Sequence, residues 1–437
     1  MSGTAIAAGS VVLMLLAVWS GMHVAIALGL VSFLGIWLLR GDAAVATQLL
    51  SQAAGDAIAS HIFGVVPLFV LAGLVVARAD LGRDAFDVAH QLLRRLKGGL
   101  GVATVASNAV FAAITGISLA SAAVFSRVAV PPMRRHGYLP RFAVGVVAGS
   151  SVLGMLIPPS LLMVLYGYLS NQSVGDLFTA GVLPGIVLAL AFSAGIVFMA
   201  TRRPGMVFAS PGADLEPLHH LPPIKLALKA LPGGLMIVVV LGGLYGGLFT
   251  ATEAAAVSAA LALAMLFCRR GPHLRGIWND LIETGHITVS ISFLIICAST
   301  YSRMLALSGL PQALMAGLNT FGVGSTGFVF AHVLVILVLG MFIDASSILL
   351  IVLPLSLPLA SQFGLDLVWF GIVTIVAVEV GLLTPPFGLS AYVVHSAVND
   401  PELGLGDVFA GTLPFTLIML AVLALLIAFP AISLALL

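Results

Sequence analysis

Two apolar segments of this chain cannot be unbroken helices. The first, Phe142 to Leu169, contains the run Gly149-Ser-Ser-Val-Leu-Gly-Met-Leu-Ile-Pro-Pro-Ser160. Adjacent prolines remove two backbone donors and clash with the preceding turn, so a helix must stop there. Gly149 and Gly154 weaken it further. The second segment, Leu367 to Val394, contains Glu379-Val-Gly-Leu-Leu-Thr-Pro-Pro-Phe-Gly388. Gly154-x-x-Ile-Pro-Pro and Gly381-x-x-Thr-Pro-Pro share one internal spacing. In lipid, backbone groups freed by such breaks are tolerated only where protein, ions or water satisfy them. Two interrupted segments at matching places in two halves point to a binding site built from discontinuous helices.

Composition requires the bilayer. The 437 residues are 60% hydrophobic and 8% charged, where a soluble domain carries roughly 25% charged residues. Spans of roughly 20 apolar residues fit about ten to twelve times. A net charge of +1 leaves no basic footprint for nucleic acid. Cys268 and Cys297 lie in apolar segments without metal or redox spacing, and read as small buried thiols. No basic residue precedes the first hydrophobic run, so it reads as a retained span rather than a cleaved leader. There is no His-Glu-x-x-His and no Gly-x-Ser-x-Gly, so no enzyme constellation is present.

Five regions follow from the pattern. Residues 1–97 hold scaffold spans (Thr4–Ser20, Met22–Leu39, His61–Ala77), a loop over Arg40–Ser60 and an amphipathic arm over Arg78–Lys97. Residues 98–200 hold a hairpin, the first broken helix and a span over Leu177–Ala200. Basic residues flank the apolar segment Gly98–Ser126 on both sides: Arg94, Arg95 and Lys97 before, Arg127, Arg134, Arg135 and Arg141 after. Basic loops stay cytoplasmic, so this segment must enter and return, with Gly116 at the reversal. Residues 201–230 read as a cytoplasmic linker. Residues 231–326 read as a second scaffold part and arm, with a capping box at Thr250-Ala-Thr-Glu253. Residues 327–437 repeat the first half: a hairpin over Phe328–Leu359, the second broken helix and a last span, with Gly406-Asp-Val-Phe409 echoing Gly175-Asp-Leu-Phe178. No Lys or Arg follows Arg303, so the second hairpin reads as entering from the opposite face. The fold class is therefore an all-α integral membrane protein: an inverted repeat with two re-entrant helical hairpins and two broken transmembrane helices. The loop His395–Asp407 should be cytoplasmic in this scheme yet is acidic; acids say little about topology.

Asp344 and Glu379 are the ionisable groups deep in the second half. A charge at mid-membrane costs at least about 2.5–3.5 kcal/mol, so it has a partner or a function. Without nearby Lys or Arg, a cation or a proton is the simplest partner. Asp344, at the second hairpin tip, is read as an ion or proton site or as a tip cap; Glu379 as a site residue or a group solvated in a crevice. The first half offers only hydroxyls (Thr115, Ser118, Ser150, Ser151) and carbonyls freed near Gly154 and Ile157. These oxygens suit a hard monovalent cation, while half-helix N-termini can face a carboxylate. Ser107, Asn108, Thr115, Ser118, Ser160 and Thr384 are the expected substrate contacts. Moving an anion into a negative-inside cell costs about 2.3 kcal/mol per charge per 100 mV, so two or more coupling cations are expected.

At these residues the chain resembles the large membrane subunit of tripartite ATP-independent periplasmic (TRAP) transporters. The matching runs are Phe111-Ala-Ala-Ile-Thr-Gly-Ile-Ser118, Met133-Arg-Arg-His-Gly-Tyr138, Gly154-Met-Leu-Ile-Pro-Pro-Ser160, Phe178-Thr-Ala-Gly-Val-Leu-Pro-Gly185, Gly242 through Ala256, and Gly381-Leu-Leu-Thr-Pro-Pro-Phe-Gly388. The resemblance implies sodium-coupled uptake of an organic acid across the bacterial inner membrane. It implies delivery by a soluble periplasmic binding protein, a small four-helix membrane subunit on a separate chain, and elevator-like movement of a transport domain. It also implies sodium between hairpin tips and helix breaks, with ion contacts at Thr115, Gly116, Ser118, Gly149, Ser150, Gly154 and Pro158 in the first half and at Asp344, Ser346, Gly381, Thr384 and Pro385 in the second. A proton-coupled transporter of the same architecture, with Asp344 titrating, is the alternative. An ATP-driven permease is disfavoured: Glu253-Ala-Ala is similar to their coupling-loop motif, but the Gly expected after it is absent. A channel would conduct without a binding protein.

Overall fold

A computed structural model describes residues 2–59, 64–209, 222–271 and 274–437. It is an all-helical membrane protein. Among the described residues, six helices are long and apolar enough to span a bilayer, or eight if each bent pair counts as one span. This is fewer than the apolar length suggests. Part of that length lies in apolar helices of 10–17 residues, among them Gly99–Thr115, Ser325–Gly340, Leu367–Leu383 and Leu389–Val398.

The N-terminal helices Gly3–Trp19 and Val24–Arg40 are separate, joined by a turn at Gly21. The expected loop over Arg40–Ser60 is instead a helix, Ala43–Ala59. Its start is capped by Asp42, whose Oδ1 accepts from the Ala44 N–H at 2.8 Å. Its alanines 46, 53 and 57 are buried. Alanine is the strongest helix former and needs no large apolar stripe to be helical, so hydrophobic periodicity did not reveal it. Residues 61–63 of the next expected span lie outside the described residues; the described helix is Val65–Arg78.

At Asp80, in the left-handed region at φ 58°, the chain bends 64° into the arm helix Leu81–Leu93. Phe86 and Ala89 are buried, while Leu92 and Leu96 are exposed at positions available to lipid. The acidic side of the arm is tied down by ion pairs. Asp84 meets Arg269 at 2.5 Å, Asp87 meets Lys229, and Asp80 meets Arg270. Just before the bend, Arg78 clasps Asp280 with two bonds of 2.5 and 2.6 Å. A bidentate guanidinium–carboxylate pair fixes geometry as well as charge. The arm is thereby fastened to the helices Pro223–Tyr245, Ala251–Arg270 and Leu274–Ser308.

The first hairpin is Gly99–Thr115 and Ser118–Val128, reversing at Gly116 as expected. The first broken helix comprises Pro140–Ser151, Leu153–Leu156 and Leu161–Ser170, bent by 41°. The span Val174–Arg202 follows, capped by the Ser173 hydroxyl. The second half repeats the order: hairpin Ser325–Gly340 and Ala345–Gln362, broken helix Leu367–Leu383 and Leu389–Val398, and last span Leu405–Ala428. Both Pro-Pro bonds, at 158–159 and 385–386, are cis.

The 201–230 linker needs correction. Residues 210–221 lie outside the described residues, but helix Pro223–Tyr245 already covers Lys225 to Ala230. Pro222 and Pro223 supply a start with φ preset and no donor wasted, and an apolar stripe follows. The Thr250–Glu253 capping box is formed. Of the two thiols, Cys297 is buried; Cys268 is exposed, at a helix end beside Arg269 and Arg270.

The acidic loop does lie with the basic ones. Arg134 pairs with Asp400. The 137–139 strand-like turn bonds to 207–209, through Leu139 N–H to Val207 O and Ala209 N–H to Gly137 O, both at 2.8 Å. One end of the molecule therefore gathers the loops after the first hairpin, after Val174–Arg202 and after the second broken helix.

Candidate ion and substrate site at the helix breaks

Each hairpin tip sits on the break of its own half, backbone against backbone. In the first half, a Cβ on Gly116 would lie 2.4 Å from the Pro159 carbonyl oxygen, and one on Gly154 would lie 2.9 Å from Ile117 and Ser118 backbone atoms. The Leu161 N–H donates to the Gly116 carbonyl at 3.3 Å. In the second half, Gly340 and Gly381 face each other so closely that a Cβ on either would lie 2.7 Å from the other's Cα. The Phe387 N–H donates to the Met341 carbonyl at 3.3 Å. Only glycine permits such approaches; this explains Gly116, Gly154 and Gly381 within the expected ion group.

The two junctions are neighbours. Ser118, first residue of the return helix of the first hairpin, donates from Oγ to Glu379 Oε1 of the second broken helix at 2.9 Å. Glu379 has no solvent exposure, and its Oε2 has no hydrogen-bond partner among the described residues. The Tyr166 hydroxyl donates to the Leu367 carbonyl at 2.6 Å, with its ring packed on Gly371. Ser346, at the second tip, lines a narrow apolar gap with Leu161, Val164 and Leu165 of the first broken helix.

The remaining expected residues divide. Asn108 donates to Ser150 Oγ and accepts from Ser121 Oγ, both at 2.6 Å, stitching the first hairpin to the helix beside it. Ser107 bonds back to the Ala103 carbonyl at 2.7 Å. Both are fully buried; Asn108 knits helices together, whereas Ser107 is satisfied within its own helix. Gly149 packs on the Phe415 ring, a turn before the break. Thr115 and Thr384 bond to carbonyls one turn back, Phe111 and Val380. Ser160 donates to the Met155 carbonyl at 2.5 Å. Pro158 is buried, whereas Pro385 is exposed. Asp344 is exposed and caps the return helix of the second hairpin, accepting from the Ser347 hydroxyl at 2.5 Å and N–H at 3.1 Å. Capping is the role this geometry gives it.

The pairing of Ser118 with Glu379 bridges 261 positions. No sequence signal joins them, although Glu379 stood out as a deep acid. A cleft of about 860 Å³ opens at the other end of the molecule, beside Ser173, Asp176, Tyr245 and Thr250; none of the expected site residues lines it.

Discontinuous helices, each capped by a hairpin tip inside a bilayer-spanning bundle, define a membrane transport protein. The comparisons give the family. Residues 11–432 match the model described as the tripartite ATP-independent periplasmic transporter, DctM component, and the chain belongs to that family. It is 35% identical over 372 residues to the C4-dicarboxylate TRAP transporter large permease protein DctM of Pseudomonas aeruginosa, covering 85% of each chain. It is 31% identical over 420 residues to the ectoine TRAP transporter large permease protein TeaC of Halomonas elongata, covering 95% of each. It is 32% identical over 370 residues to the sialic acid protein SiaM of Vibrio cholerae, covering 84% of each. Among solved structures, the Alcanivorax borkumensis YdaH transporter shares the fold at a TM-score of 0.57 and 17% identity, over 89% of this chain and 90% of that one.

Proposed function

We propose that this chain carries an organic acid anion inward across the bacterial inner membrane, coupled to two or more sodium ions. A periplasmic binding protein delivers the acid, and a small four-helix membrane subunit completes the carrier. The observation that carries this reading is the pair of hairpin-on-break junctions. Freed carbonyls and hydroxyls at such junctions are hard oxygen ligands, suited to a small monovalent cation. The oxygens fit this chemistry in the first half: Ser118 Oγ bonds Glu379 Oε1, and Glu379 Oε2 has no hydrogen-bond partner among the described residues. In the second half, Ser346, Gly381, Thr384 and Pro385 form the matching group, and Thr384 borders the exposed break where an acid would enter. The arm's ion pairs with Arg269 and Arg270 support a fixed scaffold made of residues 1–97 and 231–326. Against it the two repeats, 98–200 and 327–437, would move as an elevator.

The relatives' names include a C4-dicarboxylate, ectoine and sialic acid. Selection among acids is assigned to the binding protein. The test is uptake into liposomes holding both membrane subunits, with the binding protein outside. Uptake should require sodium in the outer medium and need no ATP; equal uptake in choline or potassium would refute sodium coupling.

A further inference from the structure

Among the described residues only two acidic side chains are buried, Asp280 and Glu379. Asp280 is answered by Arg78. Glu379 is answered by one hydroxyl. Ser118 satisfies Oε1, while Oε2 is sealed from water with nothing to accept from. No Lys or Arg follows Arg303 in the chain. A buried carboxylate left in this state is costly, because its charge has neither solvent nor partner. The helix around it offers no donor: Glu379 lies inside Leu367–Leu383, where the backbone is occupied by its own ladder.

Its position is as informative as its charge. The side chain reaches into the junction of the first half, where every other expected ligand is a neutral oxygen. Two residues on, Gly381 carries the junction of the second half through its contact with Gly340. One carboxylate thus stands between both candidate cation sites.

We propose that Glu379 supplies the negative charge for a sodium ion held at the junction of the first hairpin, so that a residue of the second repeat completes the ion site of the first. This rests on the sodium reading above and adds what that reading lacks, a charged ligand and a physical link between the two sites. Ser118 holds the carboxylate in place through Oε1 and leaves Oε2 for the cation. Removal of that cation leaves an unpaired buried charge against the second helix break. Occupancy of the first site therefore favours the packed arrangement in which the second site forms.

The experiment is thermal unfolding of the purified carrier, large and small membrane subunits together, titrated with sodium chloride against choline chloride at constant ionic strength. The wild type should gain stability saturably with sodium. In Glu379→Gln, which keeps the shape and an acceptor for the Ser118 hydroxyl, half-maximal sodium should rise about tenfold or more, equivalent to about 1.4 kcal/mol. Its melting temperature without sodium should match or exceed wild type, because no charge is left stranded. Ser118→Ala should raise half-maximal sodium by a smaller factor. A structural role alone would instead lower the sodium-free melting temperature of Glu379→Gln and leave the sodium titration unchanged, which overturns the proposal. Acid stabilisation of the sodium-free wild type that vanishes in Glu379→Gln, with an unaltered sodium titration, would assign a proton in its place. A wild type that is indifferent to sodium would overturn the sodium reading itself.

Discussion

The two helix breaks use one device in two settings. At the first, Pro158, Pro159 and Ser160 are buried, and the hairpin above them is stitched in by the Asn108–Ser150–Ser121 network and by Ser118 on Glu379. At the second, Pro385, Pro386 and Phe387 are exposed, and the hairpin tip ends in the exposed cap of Asp344. The contact of tip on break is equally close in both, glycine on backbone. The difference lies in what surrounds it. A sealed junction with a polar network suits a site that holds its ligand. An open junction suits the side from which ligands enter and leave in the arrangement seen here.

That contrast can be broken in order of size. Gly116→Ala should be the most damaging change. It forces a side chain onto a φ of 66° and puts a methyl 2.4 Å from the Pro159 oxygen in a buried junction. Left-handed strain and overpacking together should cost about 2–5 kcal/mol, measured by unfolding in detergent, with uptake near background. Gly381→Ala carries no φ penalty; its methyl would meet the Gly340 Cα at 2.7 Å and the Leu337 carbonyl at 3.4 Å. It should cost about 1–3 kcal/mol by overpacking and leave measurable uptake. Equal losses in the two variants would show that the left-handed reversal at Gly116 does not distinguish the junctions.

Asp344→Ala should cost about 1 kcal/mol, the value of a lost helix cap, whereas Asp344→Asn should keep the cap and leave the sodium dependence of uptake unchanged. A raised sodium requirement in Asp344→Asn would make this residue an ion ligand after all. The smallest effect concerns Asp400 on the basic face. The Glu402 N–H, and then Arg134, hold its carboxyl below the usual aspartate range. A lowered folded value means that its contribution is present above the unfolded value of about 3.9 and is lost as the pH falls through the folded one. The stability difference between wild type and Asp400→Asn should therefore be flat across neutral and mildly acidic pH, and shrink only below that value.

Much of the architecture was readable because it rests on backbone chemistry. Prolines 158–159 and 385–386 dictate the breaks, Gly116 the reversal, and Thr250 a helix start. What stayed hidden depends on partners distant in sequence. Asn108 and Ser150 look like ligands until the helices that join them are in place, whereas Ser107 turns back on its own helix. Glu379 looks solvated until the first hairpin closes over it. The Ala43–Ala59 helix escaped for a local reason, because its buried face is made of alanines and lacks a strong hydrophobic stripe.

The central claim is that each tip-on-break junction holds a cation. Radiosodium binding to the purified carrier tests it most directly, with Gly116→Ala and Gly381→Ala beside the wild type. The account predicts more than one ion bound per large subunit, with one lost in each variant. Absence of specific sodium binding, or a full complement retained in both variants, would contradict it.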